Sequence, residues 1–290
     1  MSFTSVKELL ELSEKSGKQI WELAFEDDYN ERNVSIKNSW NKMTAMWVAM
    51  KASSDNYDGN IKSHSGLSGG NGLKMKNYVD QCLSGNFIGQ VMAEAISVAE
   101  SNACMKCIVA APTAGSCGVL PAVLIPFVKK YNTDEDTVIK ALYTSAAFGQ
   151  IIAERAFIAG AAGGCQAEIG TASAMAAAML VYLRGGTAIQ SANAMAFALK
   201  SLLGLVCDPV AGLVEVPCVK RNVIGAVNAV TSADMAMAGI ESVIPPDEVI
   251  DAMRAVGLSM PEDLRETGLG GLAATPTGMK IAEDMPSLEK

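Results

Sequence analysis

Cys165, Cys207 and Cys218 each stand at a break in an otherwise helical pattern, where a thiol can turn towards a shared point. Cys165 follows Gly163 and Gly164, while Cys207 and Cys218 bracket CDPVAGLVEVPC with ten residues between them. Bends of this kind suit cluster ligation, because cysteines along one regular helix cannot surround a cube. The chain holds a single histidine, and zinc sites usually recruit His as well as Cys. A multi-cysteine metal site here would therefore lean towards all-thiolate ligation and iron–sulfur. The 41 residues between Cys165 and Cys207 match no short ferredoxin pattern, so spacing alone leaves buried structural thiols as an open alternative. Cys104 and Cys107 form a CxxC at a helix end, without a second CxxC or a βαβ context. They are read as packing residues rather than ligands or a redox couple.

Two Gly-rich segments offer polar groups beside these thiols. Ser63–Gly72 reads SHSGLSGGNG, with hydroxyls and freely oriented backbone N–H groups suited to a carboxylate or phosphate. It lacks the lysine and spacing of a P-loop and is not GxGxxG. Pro112–Gly118 reads PTAGSCG and has similar properties; taken singly, each also reads as an ordinary turn. His64 lies among the hydroxyls, and its unperturbed pKa suits acid–base work near neutrality.

The elements that must position these residues are helical. Apolar residues recur at helical spacing through the first 50 residues, with Ser5 and Glu8 matching a capping box. A longer helix starts near Asn41, and an aperiodic polar loop runs from Asn56 to Asn77. Another helix covers Phe87–Glu100. Thr133 as N-cap, with Glu135 and Asp136 in the first turn, starts a helix reaching about Ala162. The Ala-rich SAMAAAMLVYL is stopped by Gly185 and Gly186. Further helices span about Ala188–Leu203 and Asn222–Ala238, and Pro245–Pro246–Asp247 starts one to about Val256. The tail from Ser259 reads as loop. Half of the residues are hydrophobic but only 6% aromatic, with 16 Met, a composition for close helix packing rather than a β-sandwich.

The bulk numbers exclude several classes. A net charge of −8 without a basic cluster argues against nucleic-acid binding. Ile108–Val128 carries no charge, yet Pro112, Pro121 and Pro126 around a polar turn read as buried core, not a membrane span. Seven Cys, an odd number, behind an acidic N-terminus argue for reduced thiols in a cytoplasm and against a disulfide framework.

Five stretches together resemble the alpha chain of the two-subunit, iron–sulfur-dependent L-serine dehydratases. They are SHSGLSGGNG, IVAAPTAGSCGVLPAVL, GAAGGCQAEIGTASAMAA, LGLVCDPVAGLVEVPCVKRN and GLGGLAATPTGMKIA, in family order. The expected architecture is mainly α: a single helical catalytic domain over 1–290, with Gly-rich loops lining an iron–sulfur site. Residues 1–55 form an N-terminal helical segment and 56–282 the family core. The resemblance implies that Cys165, Cys207 and Cys218 hold a [4Fe–4S] cluster with one iron lacking a protein thiolate. It also implies a substrate pocket lined by Ser63, Ser65, Gly66, Thr113, Gly115 and Ser116, with His64 or a partner residue as base and no pyridoxal cofactor. Single-chain members carry a C-terminal cysteine that can reach the open iron, where this chain reads PSLEK. They also carry an extra domain with a Ser-Ser-His-Thr motif, absent here, which implies a beta subunit as partner in an oligomer. A related lyase acting on L-cysteine and a non-catalytic subunit with buried thiols are the alternatives.

Overall fold

The computed structural model describes residues 3–285, and the PSLEK segment lies outside them. Thirteen α-helices follow one another among the described residues: α1 Val6–Ser16, α2 Ile20–Glu31, α3 Ile36–Asp55, α4 Asn71–Lys76, α5 Asn86–Ala103, α6 Val119–Tyr131, α7 Glu135–Arg155, α8 Gly160–Gly163, α9 Thr171–Leu183, α10 Ala188–Lys200, α11 Cys218–Met237, α12 Pro246–Ser259 and α13 Pro276–Asp284. Strand-type pairing among the described residues is limited to one isolated bridge, Cys207 with Arg265. The fold is a single mainly α domain, as the periodicity predicts.

The core is built around α9. Every residue from Thr171 to Val181 is buried, and α6, α7, α10 and α11 pack around the helix. A helix apolar on all sides has to be enclosed. Burying a side chain such as Met179 contributes about 1.5–3 kcal/mol, more than the ~0.7 kcal/mol spread of ordinary helix propensities, so tertiary packing holds this helix. Small residues set how closely the neighbours approach. A Cβ on Gly225 of α11 would lie 2.8 Å from Ile169 Cγ2, and the Ser173 hydroxyl donates to the Gly225 carbonyl at 2.7 Å. Val119–Phe127 of α6 are buried in the same core, and no described helix is long and apolar enough to cross a membrane.

Local signals account for most helix ends, with informative exceptions. Ser5 Oγ accepts from Glu8 N at 3.1 Å, but the Glu8 carboxylate takes Thr4 N instead of closing the box. The N-cap of α7 is Asp134, not Thr133; its carboxylate accepts from Thr137 N at 2.9 Å. That helix stops at Arg155, short of Ala162, where the guanidinium makes a two-point ion pair with Asp251 of α12 at 2.7 and 2.8 Å. The polar loop after α3 contains α4, and the tail contains α13, capped by Thr275. Both helices are too short for periodicity to reveal.

Candidate active site

Four irregular segments carry the residues singled out in the sequence. The first follows α8, where Gly164 adopts φ +77°, leads into Cys165, and continues as a π-helical turn, Gln166–Gly170, joined to α9. Such turns inside helices are rare and recur at functional sites. Gln166 pins this segment beside the approach to Cys207. Its N–H donates to Leu205 O at 2.9 Å, and its side-chain oxygen accepts from Gly204 N at 2.9 Å. Cys207 is in turn held by the tail, with its N–H on Leu264 O at 2.8 Å and its carbonyl accepting from Glu266 N at 2.7 Å. Cys218 is the first residue of α11, four positions earlier than the apolar pattern predicts. Its carbonyl accepts from Asn222 Nδ2 at 3.0 Å.

The outcome is a group of ligand-type atoms. Sγ of Cys165, Sγ of Cys207 and a carboxylate oxygen of Glu168 all lie within 4.8 Å of one another, and all three residues are buried. Cys218 is buried but stands outside this group. Burial first, and then the neighbouring Cys165, pushes the Cys218 thiol up to about 12. A hydrogen bond with Cys165, followed by burial, also raises the Cys207 thiol. Arg221 is the cation beside these sulfurs. Burial works against its charge, but Cys165 and Asp208 outweigh it and hold the guanidinium above its ordinary value. Arg221 Nη2 meets Asp208 Oδ1 at 2.8 Å, and Nη1 donates to Val206 O at 2.8 Å.

The site also has room at a defined place. A Cβ on Gly160 would lie 2.9 Å from Cys207 Sγ and 2.9 Å from Glu168 Oε2, so only glycine leaves the space before both groups clear. Buried thiols on separate segments, a neighbouring carboxylate and one guanidinium form a donor set that fits a thiolate-bound metal centre.

Carboxylates and amides fasten the two Gly-rich loops to this centre. In the Ser63–Gly72 loop, Ser63 Oγ donates to Glu215 Oε2 at 2.6 Å and Ser65 Oγ to Oε1 at 2.8 Å. Sequence reading treats the loop's N–H groups as open to a ligand carboxylate. Those of Gly69, Asn71 and Gly72 are instead taken by the protein's own Glu100, at 3.0, 3.1 and 3.1 Å. In the Pro112–Gly118 turn, Thr113 Oγ1 donates to Glu168 Oε1 at 2.7 Å. Ser116 is fully buried and closes the turn on the Thr113 carbonyl. Gly115 fits where a Cβ would lie 3.1 Å from Glu168. Asn222 ties this turn to Cys218, accepting from Gly118 N at 2.9 Å and donating to Gly115 O at 2.8 Å. Burial raises the Glu168 carboxyl, Thr113 opposes that, and Glu266 adds to it.

Of the residues singled out in the sequence, Cys165 and Cys207 are brought together, and Thr113 and Gly115 lie against Glu168. Ser63 and Ser65 share one carboxylate. His64 and Gly66 are exposed on the same loop. Cys104 and Cys107 fall outside the ligand group; Cys104 is half-buried, whereas Cys107 is exposed and packs nothing away. Glu100, Glu168, Glu215 and Asn222 are the residues fastening these loops that the sequence reading did not single out. A signal was available for Glu168 and Glu215, each a lone acid in an otherwise apolar or Gly-rich stretch, but not for Glu100 and Asn222, which stand beside other polar residues.

Fold and site together define a helical protein with a buried thiol-and-carboxylate centre flanked by two hydroxyl-bearing loops. The sequence profile described as serine dehydratase alpha chain matches residues 15–273, and the chain belongs to that family. It is 48% identical over 281 residues to the probable L-serine dehydratase alpha chain of Bacillus subtilis (strain 168), covering 96% of this chain and 94% of that one. It is 44% identical to the L-serine dehydratase alpha chain of Peptoniphilus asaccharolyticus, covering 97% of each chain. L-serine dehydratase TdcG of Escherichia coli (strain K12) is 43% identical over 190 residues, which make up only 42% of that longer chain.

Proposed function

We propose that this chain is the catalytic alpha subunit of a cytoplasmic L-serine dehydratase, converting L-serine to pyruvate and ammonia, with Cys165, Cys207 and Cys218 holding a [4Fe–4S] cluster. The observation that carries this reading is the Cys165–Glu168–Cys207 group, within 4.8 Å, tied by Thr113 to a loop of the expected substrate pocket. The names of relatives aligned along nearly the whole chain point to the same substrate. The donor chemistry suits the cluster, since three buried thiols are soft ligands and Arg221 offsets part of their negative charge. When bound, the cluster supplies a Lewis-acidic iron for the β-hydroxyl, which is otherwise a poor leaving group.

The chain's own residues do the remainder. Gly66, Thr113, Gly115 and Ser116, with Ser63 and Ser65, line and shape the substrate pocket. His64, exposed on its loop, is this chain's candidate base for the α-proton. Loss of water leaves aminoacrylate, which tautomerises and hydrolyses to pyruvate and ammonia. A beta subunit completes the pocket from outside, consistent with the exposure of His64.

The test is the visible absorption spectrum of anaerobically purified protein before and after L-serine, alongside pyruvate formation. A broad iron–sulfur band perturbed by serine is the expected result. The absence of any band after anaerobic reconstitution with iron and sulfide returns the three cysteines to the core and overturns the reading.

A further inference from the structure

Glu215 is 6% exposed and lies three residues before Cys218, yet among the described residues it makes no ion pair. Of the cations that follow it along the chain or stand on the loop, Lys220 is exposed, and Arg221 and Lys62 are engaged elsewhere. Arg221 pairs with Asp208 at 2.8 Å, and Lys62 Nζ donates to the Gly69 carbonyl at 2.6 Å. A buried carboxylate without a counter-charge is costly, and hydroxyl donors offset that cost only in part. The groups Glu215 does hold are Ser63 and Ser65, one on each oxygen.

Counting protons shows what this arrangement can accept. A serine hydroxyl has one hydrogen to donate and two lone pairs to offer. Both hydrogens are committed to Glu215. Ser63 Oγ already accepts from Ser68 N at 3.1 Å, and Ser65 Oγ from Leu67 N at 3.1 Å. One lone pair remains on each oxygen. The two oxygens stand 3.0 Å apart, and with both hydrogens on Glu215 none is left to bridge them. From these two hydroxyls and Glu215 a ligand carboxylate would receive no hydrogen. A ligand carrying several N–H groups and a positive charge would find two hydroxyl acceptors backed by a carboxylate, on a loop where Ser65 is only half-buried.

Resting on the serine dehydratase reading, we infer that Glu215, Ser63 and Ser65 form the subsite for the substrate's α-ammonium group. The Ser63–Ser65 loop thus binds the cationic end of the amino acid rather than its carboxylate. Because Glu215 sits in the segment between Cys207 and Cys218, one stretch of chain sets the ammonium site relative to the thiols. The ligand class this subsite selects is a small α-amino acid over the corresponding α-hydroxy acid.

The test compares L-serine with glycerate, in which a hydroxyl replaces the ammonium, on the iron- and sulfide-loaded full chain combined with its beta subunit. KM for L-serine, the inhibition constant of glycerate and the iron-to-protein ratio are measured for wild type, Glu215→Gln and Ser65→Ala. Glu215→Gln is expected to raise KM for L-serine by about 30- to 100-fold, with glycerate inhibition changed by less than about threefold and iron content unchanged. Ser65→Ala, at a half-buried position, is expected to show the same selective effect at roughly 5- to 10-fold and remains informative if the Glu215 variant does not fold. Equal weakening of serine and glycerate, or no change in either, overturns the ammonium assignment and leaves Glu215 as a loop fastener. A wild-type protein that neither turns over nor binds L-serine overturns the functional reading itself, and the subsite with it.

Discussion

The Tyr57 phenol donates to Glu100 Oε2 at 2.5 Å, while Glu100 Oε1 accepts from Gly69 N, Asn71 N and Asn71 Nδ2 at 3.0, 3.1 and 2.8 Å. One fully buried carboxylate near the end of α5 therefore ties Tyr57 to the Gly69–Gly72 end of the Ser–Gly loop. Glu100→Gln puts an NH2 group against donors that require an acceptor. It is expected to lower unfolding free energy by about 2–3 kcal/mol, read from denaturant titration at neutral pH. A change under about 0.5 kcal/mol would show that the loop is held by other means.

The same carboxylate sets a pH dependence. Burial alone would raise Glu100, but Tyr57 and the N–H groups of Gly72, Asn71 and Gly69 outweigh it and hold the carboxyl below 4.5. A group depressed in the folded state contributes stability that is full above its unfolded value and is lost as pH falls through the folded one. The stability gap between wild type and Glu100→Gln is therefore expected to stay constant above about pH 5 and to narrow below pH 4.5. A gap that widens on acidification would contradict this sign.

Serine replacement distinguishes the cysteines. Cys165→Ser, Cys207→Ser and Cys218→Ser are each expected to lose most bound iron and the visible band after anaerobic reconstitution. Cys104→Ser and Cys107→Ser, at half-buried and exposed positions outside the proposed ligand set, are expected to keep both. Full iron and activity in Cys165→Ser would remove that residue from the proposed ligand set.

Gly160 tests the space before the thiols. A methyl group there would stand 2.9 Å from both Cys207 Sγ and Glu168 Oε2 and 3.1 Å from Glu266 Oε2. Gly160→Ala is expected to fold with near-normal helix content and to bind less iron than wild type, checked by circular dichroism and iron analysis. Undiminished iron would show that the space is not needed for the metal centre.

His64 is the chain's one candidate base. His64→Ala is expected to lower kcat by about 10²- to 10⁴-fold while leaving the absorption spectrum intact. Normal turnover would assign the proton transfer to the partner subunit.

Much of this molecule was legible one residue at a time. Helix formation depends on hydrogen bonds between residues four apart and on a 3.6-residue apolar period, so α5 and α10 could be read directly, while α9 was legible from its Ala-rich composition and the stop at Gly185. The same locality marked the two Gly-rich loops and the irregular backbone at Cys165 and before Cys218. Short helices such as α4 and α13 escaped because six or nine residues show too little period.

What no local rule could supply was partnership. Thr113 meets Glu168 across 55 residues, Glu100 meets Gly69 across 31, and Ser63 meets Glu215 across 152. Each of these carboxylates is buried at a site where only the packing of α5, α9 and α11 decides which donor arrives. The sequence by itself determined the helices, the bends and the types of group that could do chemistry. The tertiary structure decided which hydroxyls and N–H groups are already committed, because a hydrogen can be given only once and the path of the chain selects its acceptor.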